Sequence, residues 1–210
     1  MASGERAGRA PRGKATRERM DNDARRAQLL ALGLEVFATH AYDEVSIEDL
    51  AERAGISKGL LYHYFPTKRD YYAATVREAA RQLLSLTDLP DSIAPAERLH
   101  EGLARYLRFV ERHASAYSTL LRGGIGSDPE VAAVIEETRQ ALLARIVRGL
   151  GEVDPTLRLT LRGWIGFVEA TSLEWLDRRE LDRDEMLALW IAALLRLTPG
   201  LAERVAASAG

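Results

Sequence analysis

Cysteine is absent from the 210 residues. Its absence excludes disulfides, thiolate metal sites and cysteine nucleophiles, and suits a reducing compartment. Long apolar runs are missing as well. The longest stretch without Asp, Glu, Lys or Arg is 186–195, ten residues, whereas a membrane helix needs about 18–20. No membrane partner is therefore expected. Residues 1–20 lack the apolar stretch of a signal peptide, so a cytoplasmic location is expected. The four histidines, His40, His63, His100 and His113, are expected to form no His-x-x-x-His or Glu-x-x-His pair on one helix face. No Gly-x-Ser-x-Gly nucleophile elbow is expected either. Neither an enzyme nor a cofactor is expected.

What is present is apolar bulk and unevenly placed charge. At 47% hydrophobic the chain can bury a core without staples. The net charge is −2, which does not by itself suit a nucleic-acid binder. Partition changes that picture. Residues 1–30 carry a net +4 and the remaining 180 a net −6. A basic end on an acidic body can aim the end at phosphate while the body stays away. A solvated tail would have the same composition.

Apolar residues recur at helical spacing and β-branched alternation is absent, so the chain reads as all-α, with about nine helices. Residues 1–21, rich in Gly and Arg, read as a disordered basic arm. The first helix is expected over 22–39, with Leu29, Leu32, Val36 and Phe37 inward. Ser46 with Asp49 resembles a capping box opening a short helix. Gly55 supplies the left-handed turn that ends it. Ser57 opens a second short helix, to about Tyr64. Pro66 breaks the chain before a longer helix over 67–86. Pro90 and Pro95 mark a boundary between a head, 22–86, and a body, 87–210. The body helices are expected over 96–113, 115–122, 129–150, 155–177 and 183–197.

Two short helices joined by a glycine turn and packed on a longer one make a helix-turn-helix, here 46–65. Its second helix enters the major groove and reads bases from its first turn. That turn is Ser57-Lys58-Gly59-Leu60, in which Lys58 can donate to guanine. Ser46, Ser57 and Thr67 can each present helix N–H groups to phosphate. Tyr62, His63, Tyr64 and Lys68 would position the backbone. Lys58 also reads as an ordinary surface lysine, and Glu48 as either solvated or accepting from a cytosine amine.

Residues 45–68, VSIEDLAERAGISKGLLYHYFPTK, resemble the TetR family of bacterial regulators. Leu50-Ala51, Ala54-Gly55-Ile56-Ser57, Gly59, Leu61-Tyr62, Phe65 and Lys68 carry the resemblance, with Leu29-Leu30, Phe37 and Tyr42 before them. There are two departures from the family pattern. The order Tyr62-His63-Tyr64-Phe65 leaves open whether His63 or Tyr64 meets phosphate. Ala41 stands where glycine is common, a strained position if that residue is left-handed.

The resemblance implies a DNA-binding transcription regulator, commonly a repressor, that releases a palindromic operator when a small apolar or aromatic effector binds the body. It implies a homodimer through the last two helices, whose apolar stripes hold Leu161, Val168 and Trp175, then Met186, Trp190, Ala193, Leu194 and Leu197. Gly163, Gly166 and Ala170 add a strip where another helix can approach. It also implies a cavity for the effector, with Tyr106, Phe109, Tyr117, Leu121, Trp164, Phe167 and Glu169 as candidate liners. The same residues also suit a plain core. An adaptor that binds a partner protein through its helical body, without an effector, is the alternative.

Overall fold

Three successive helices of the N-terminal head each start on a side chain that satisfies a free backbone N–H group. Ser46 Oγ accepts from Asp49 N at 3.0 Å, Ser57 Oγ from Leu60 N at 3.2 Å and Thr67 Oγ1 from Asp70 N at 3.1 Å. These caps open α2 (Ile47–Arg53), α3 (Lys58–Tyr64) and α4 (Lys68–Leu86). A 3₁₀ turn, Tyr42–Glu44, and α1 (Arg12–Phe37) precede them. The body follows as α5 (Pro95–Arg112), α6 (Ala114–Arg122), α7 (Pro129–Arg148), α8 (Pro155–Arg178) and α9 (Arg183–Leu197). This architecture is a computed structural model that describes residues 12–122, 128–148, 150 and 153–200, with the backbone alone for 12–20. Among the described residues there is no strand, and no helix is long and apolar enough to cross a membrane.

Two expectations about the start of the chain are corrected. The first helix begins at Arg12, not residue 22, so residues 12–21 are helical rather than a disordered arm. They have no apolar stripe, but Arg, Lys, Ala, Glu and Met extend a helix already nucleated downstream. Residues 1–11 lie outside the described set. Ala41 is extended, φ −68° and ψ 156°, so replacing glycine there carries no strain. Gly55 does take the left-handed turn, φ +64°.

The head core gathers Leu29, Phe37, Ile47, Leu50, Leu61, Phe65, Tyr71 and Tyr72. Its aromatic rings meet edge-on: Phe65 and Tyr71 at 4.9 Å, Phe37 and Tyr72 at 4.9 Å. Helix α1 crosses α4 closely at Gly33. A Cβ there would stand 2.5 Å from Thr75 Oγ1 and 2.9 Å from the Tyr71 hydroxyl. Packing also crosses the connector after α4, because Val131 and Val134 of α7 are buried in the head core. Arg69 of α4 pairs with Asp128, whose carboxylate also caps α7 by accepting from Glu130 N.

The body core places all three tryptophans inside one chain. Trp164 Nε1 donates to Trp190 O at 2.9 Å, Trp190 Nε1 to Thr171 Oγ1 at 2.8 Å and Trp175 Nε1 to Leu181 O at 2.7 Å. Leu161, Val168, Met186 and Leu194 are buried beside them. These six side chains, Leu161, Val168, Trp175, Met186, Trp190 and Leu194, are therefore not on a surface that a second copy could meet. Ala193 is half-buried against the same core, and of the eight candidates only Leu197 is exposed. The outer faces of the two helices are apolar as well. On α8 they show Leu159, Gly163 and Ala170, and on α9 Ala188, Leu189, Ala192 and Leu195. A Cβ on Gly163 or Gly166 would meet nothing within 4 Å.

Candidate nucleic-acid interface and effector cavity

The exposed tip of the head is the first turn of α3 and the side of α3 that faces away from the core. Lys58, Gly59, Leu60, Tyr62 and His63 are exposed there, while Leu61 and Phe65 turn inward. A Cβ on Gly59 would touch only Ser57 Oγ, at 4.0 Å. Nothing inside the protein thus requires glycine, which leaves its surface open to close approach by a partner. The Ser46 and Thr67 hydroxyls accept from Asp49 N and Asp70 N and donate to the carboxylates of the same two residues, whereas the Ser57 hydroxyl accepts from Leu60 N and keeps its own proton to donate. Lys58 is paired with Glu48 and lies 5.8 Å from the Tyr62 ring. The hydrogen bond between the two holds Glu48 below the usual carboxylate range and Lys58 above the usual lysine range. Lys68 is half-buried, 4.2 Å over the Tyr42 ring.

The two aromatic neighbours have different surroundings. Tyr64 is half-buried and its hydroxyl donates to Asn22 Oδ1 at 2.5 Å, tying α3 to α1. His63 is exposed. Residues Gly55-Ile56-Ser57-Lys58-Gly59 do have Gly-x-Ser-x-Gly spacing, contrary to the expected absence of that pattern. They follow a helix rather than a strand, and the Ser57 hydroxyl is engaged as a cap, so no nucleophile elbow forms. Glu97 and His100 do lie three apart on α5, contrary to the expected absence of a Glu-x-x-His pair, with both side chains exposed. Among the described residues no three His, Asp or Glu side chains gather as metal ligands.

Two adjoining pockets, the lobes of a candidate effector site, lie in the body and between it and the head. One lobe, about 180 Å³, lies among the α4–α5 connector, α5, α7 and α8, with Leu99, Leu103, Ile146, Trp164, Ile165 and Val168 on its walls. The other, about 120 Å³, lies among α1, α4, α5, α6 and α7, with Phe37, Val76, Leu83, Phe109, Tyr117 and Leu121. Tyr106, Leu142 and Glu169 line both. Of the expected liners, Tyr106, Phe109, Tyr117, Leu121, Trp164 and Glu169 are on these walls. Phe167 is not: it is half-buried against the core and lines neither lobe. Trp164, Ile165, Val168 and Glu169 share one helix face by their 1, 3, 4 spacing, and Phe167 lies off it.

Sequence reading missed the polar partner at the junction. Arg139 Nε donates to Glu169 Oε1 and Oε2 at 3.0 Å each, and its Nη2 to Oε2 at 2.8 Å. The hydrogen bonds to Glu169 raise the Arg139 pKa above the usual arginine range. The partners stand 30 residues apart, so no local spacing reports them. Beside them the Tyr106 and Tyr117 hydroxyls meet at 2.5 Å, and burial raises both phenols above their ordinary value. His113 lines the second lobe, 4.5 Å from the Phe109 ring; burial, and then Arg112, depress its imidazole.

The comparisons agree with this arrangement. Residues 29–75 match the family described as bacterial regulatory proteins, tetR family, and residues 95–197 the one described as tetracyclin repressor-like, C-terminal domain. A solved tetR-family transcriptional regulator from Streptomyces coelicolor is 32% identical, with a TM-score of 0.77 and 89% of each chain covered. The HTH-type transcriptional activator FasR of Mycolicibacterium smegmatis is 27% identical over 173 residues, 79% of each chain. The HTH-type transcriptional repressor KstR of Rhodococcus jostii is 25% identical over 178 residues, 84% of each. With a helix-turn-helix at one end, a helical body at the other and this degree of kinship across both, the chain belongs to the TetR family of DNA-binding transcriptional regulators.

Proposed function

We propose that this protein is an effector-released repressor: a homodimer that grips a palindromic operator through α3 and lets go when a small, largely apolar molecule occupies the body cavity. The observation that carries the reading is the double duty of α4. Its Tyr71 and Tyr72 belong to the head core, while its Val76, Ala79, Ala80 and Leu83 line the second lobe. A ligand that fits only one setting of α4 shifts the head between two spacings, because differential affinity alone moves such an equilibrium. Two heads about one helical turn apart, ~34 Å, would read the half-sites.

On the DNA side, Lys58, Gly59, Leu60, Tyr62 and His63 are the contacts we assign to the groove and its phosphates. Ser46, Ser57, Tyr64 and Lys68 hold the frame. For the dimer we assign the outer faces of α8 and α9, around Gly163, Gly166, Ala170, Ala188, Leu189, Ala192 and Leu195. Small residues there let two helix pairs approach closely, and the isologous contact is self-complementary.

Fluorescence-anisotropy titration against the DNA upstream of the protein's own gene tests this, with scrambled DNA alongside and two salt concentrations. The expected result is tight, salt-sensitive binding that prefers the upstream DNA and is lost in Tyr62→Ala and Lys58→Ala. Equal weak binding to both, followed by failure to select any sequence from random DNA, would remove the sequence-reading role.

A further inference from the structure

The first lobe is apolar inside and charged at its open end. Its walls are Leu99, Leu103, Ile146, Trp164, Ile165 and Val168, yet five charged side chains also line it: Asp88, Asp91, Arg98, Arg145 and Arg148. Asp88, Asp91 and Arg148 are exposed, which identifies their end as the mouth. Asp91 accepts from Arg98 at 2.5 Å, and Asp88 lies 3.7 Å from Arg145. The sixth charged liner, Glu169, is already neutralised by Arg139 deeper in. Three guanidiniums therefore face two carboxylates, and the mouth carries one positive charge in excess among the described residues.

From this geometry we infer the ligand class, on the footing that the cavity is the effector site proposed above. The first lobe takes an amphipathic monoanion, its apolar chain along the α5, α7 and α8 walls and its charged end on Arg98, Arg145 and Arg148. Guanidinium is suited to this task. It presents parallel N–H donors that fit a two-oxygen anion such as a carboxylate, and it stays charged at every relevant pH. A cation would meet the excess charge with its own sign, and a neutral chain would leave it uncompensated.

The placement also gives a monoanion a lever that an apolar ligand lacks. Arg145 Nη1 donates to Leu84 O at 2.5 Å and to Thr87 Oγ1 at 2.8 Å, holding the last turn of α4. An anion at the mouth competes for that guanidinium. Drawing Arg145 toward the ligand frees the end of α4, the helix whose other end carries the head. Charge at the mouth thus couples to the head without the ligand filling the second lobe.

Isothermal titration of the full chain with three decyl compounds of one length separates the possibilities: decanoate, decanol and decyltrimethylammonium, each below its micelle concentration and at about pH 8, where the acid is ionised. Decanoate is expected to bind about tenfold tighter than decanol, with the cation weakest. In the double variant Arg98→Gln, Arg148→Gln that advantage should shrink to about threefold or less, with decanol unchanged. Circular dichroism of the variant checks that the fold is retained, since Arg98 is only partly exposed and pairs with Asp91. Decanoate binding no tighter than decanol, or an advantage that survives the double variant, overturns the charge assignment and leaves the cavity reading standing. Binding of none of the three overturns both.

Discussion

Arg145 on α7 holds the carbonyl of Leu84, in the last turn of α4, at 2.5 Å, and the hydroxyl of Thr87 at 2.8 Å. Arg105 of α5 reaches the carbonyl of Leu86, two residues on from Leu84, at 3.1 Å. Helix ends leave carbonyls without partners, and here arginines from two neighbouring helices supply them. At the other end of α4, Arg69 is tied to Asp128 at the start of α7. Helix α4 is therefore fastened to α7 at both ends.

Arg145→Met keeps the length of the stem and removes the donors. Its expected cost is about 1–2 kcal/mol of unfolding free energy, the scale of a lost hydrogen bond to a half-buried acceptor. Urea denaturation measures the total. Hydrogen exchange locates it: amides of the last turn of α4 should lose protection, and those of α2 should not. Unchanged exchange at residues 82–87 would mean that Arg145 does not hold this end.

Gly33→Ala tests the close crossing of α1 and α4. The added Cβ would stand 2.5 Å from Thr75 Oγ1 and 3.1 Å from its Cγ2, so something must shift. Overpacking of this kind costs about 1–3 kcal/mol. Thr75→Ala removes both clashing atoms, though the Tyr71 hydroxyl remains 2.9 Å away. The double variant should therefore recover part of the loss, and a double-mutant cycle should give a favourable coupling of about 1 kcal/mol. Strict additivity would place the strain elsewhere.

The contrast between what sequence reveals and what it hides follows from the range of the interactions. In the head, caps, the glycine turn and the inward Leu50, Leu61 and Phe65 act over three or four residues, so their spacing reports them. In α8 and α9 the pattern is ambiguous. Both helices are apolar on more than one side, and a 3.6-residue period cannot say which apolar face meets its own chain. The bulky side, with Trp164, Trp175 and Trp190, is the inner one, because rings fill volume; the Gly and Ala side is left outside. The Arg139–Glu169 pair and the Gly33 crossing join residues tens of positions apart. No local periodicity marks them. The first turns of α1 lacked an apolar stripe, yet they are helical because continuing a helix costs less than starting one.

His113 gives a pH dependence with a definite sign. Burial, and secondarily Arg112, hold its imidazole below the usual histidine range in the folded chain. Unfolding releases it to an ordinary value near ~6.5. As pH falls through that value the unfolded chain takes up a proton that the folded chain resists, so stability is lost toward acid and is constant above. The urea midpoint should therefore fall between about pH 7.5 and about pH 5.5 by more in the wild type than in His113→Gln. Carboxylates titrate in both proteins and cancel in the comparison. Parallel losses would show that His113 is protonated as easily folded as unfolded.

The assignment of the outer α8 and α9 faces to the dimer separates two kinds of variant that a Trp-centred interface would merge. Ala192 is exposed in the single chain and Trp190 is fully buried. Ala192→Arg places a charge on the outer face without touching the core. It should leave the helical content intact, convert the dimer to a monomer by sedimentation velocity, and weaken operator binding, since one head alone contacts half a site. Trp190→Ala removes a core ring and should cost about 3–5 kcal/mol of stability, with loss of fold preceding any effect on assembly. Were the tryptophan face the interface instead, Trp190→Ala would yield a well-folded monomer and Ala192→Arg an unaltered dimer. Sedimentation and thermal unfolding of the two variants side by side distinguish the arrangements, because each face predicts the opposite order of damage.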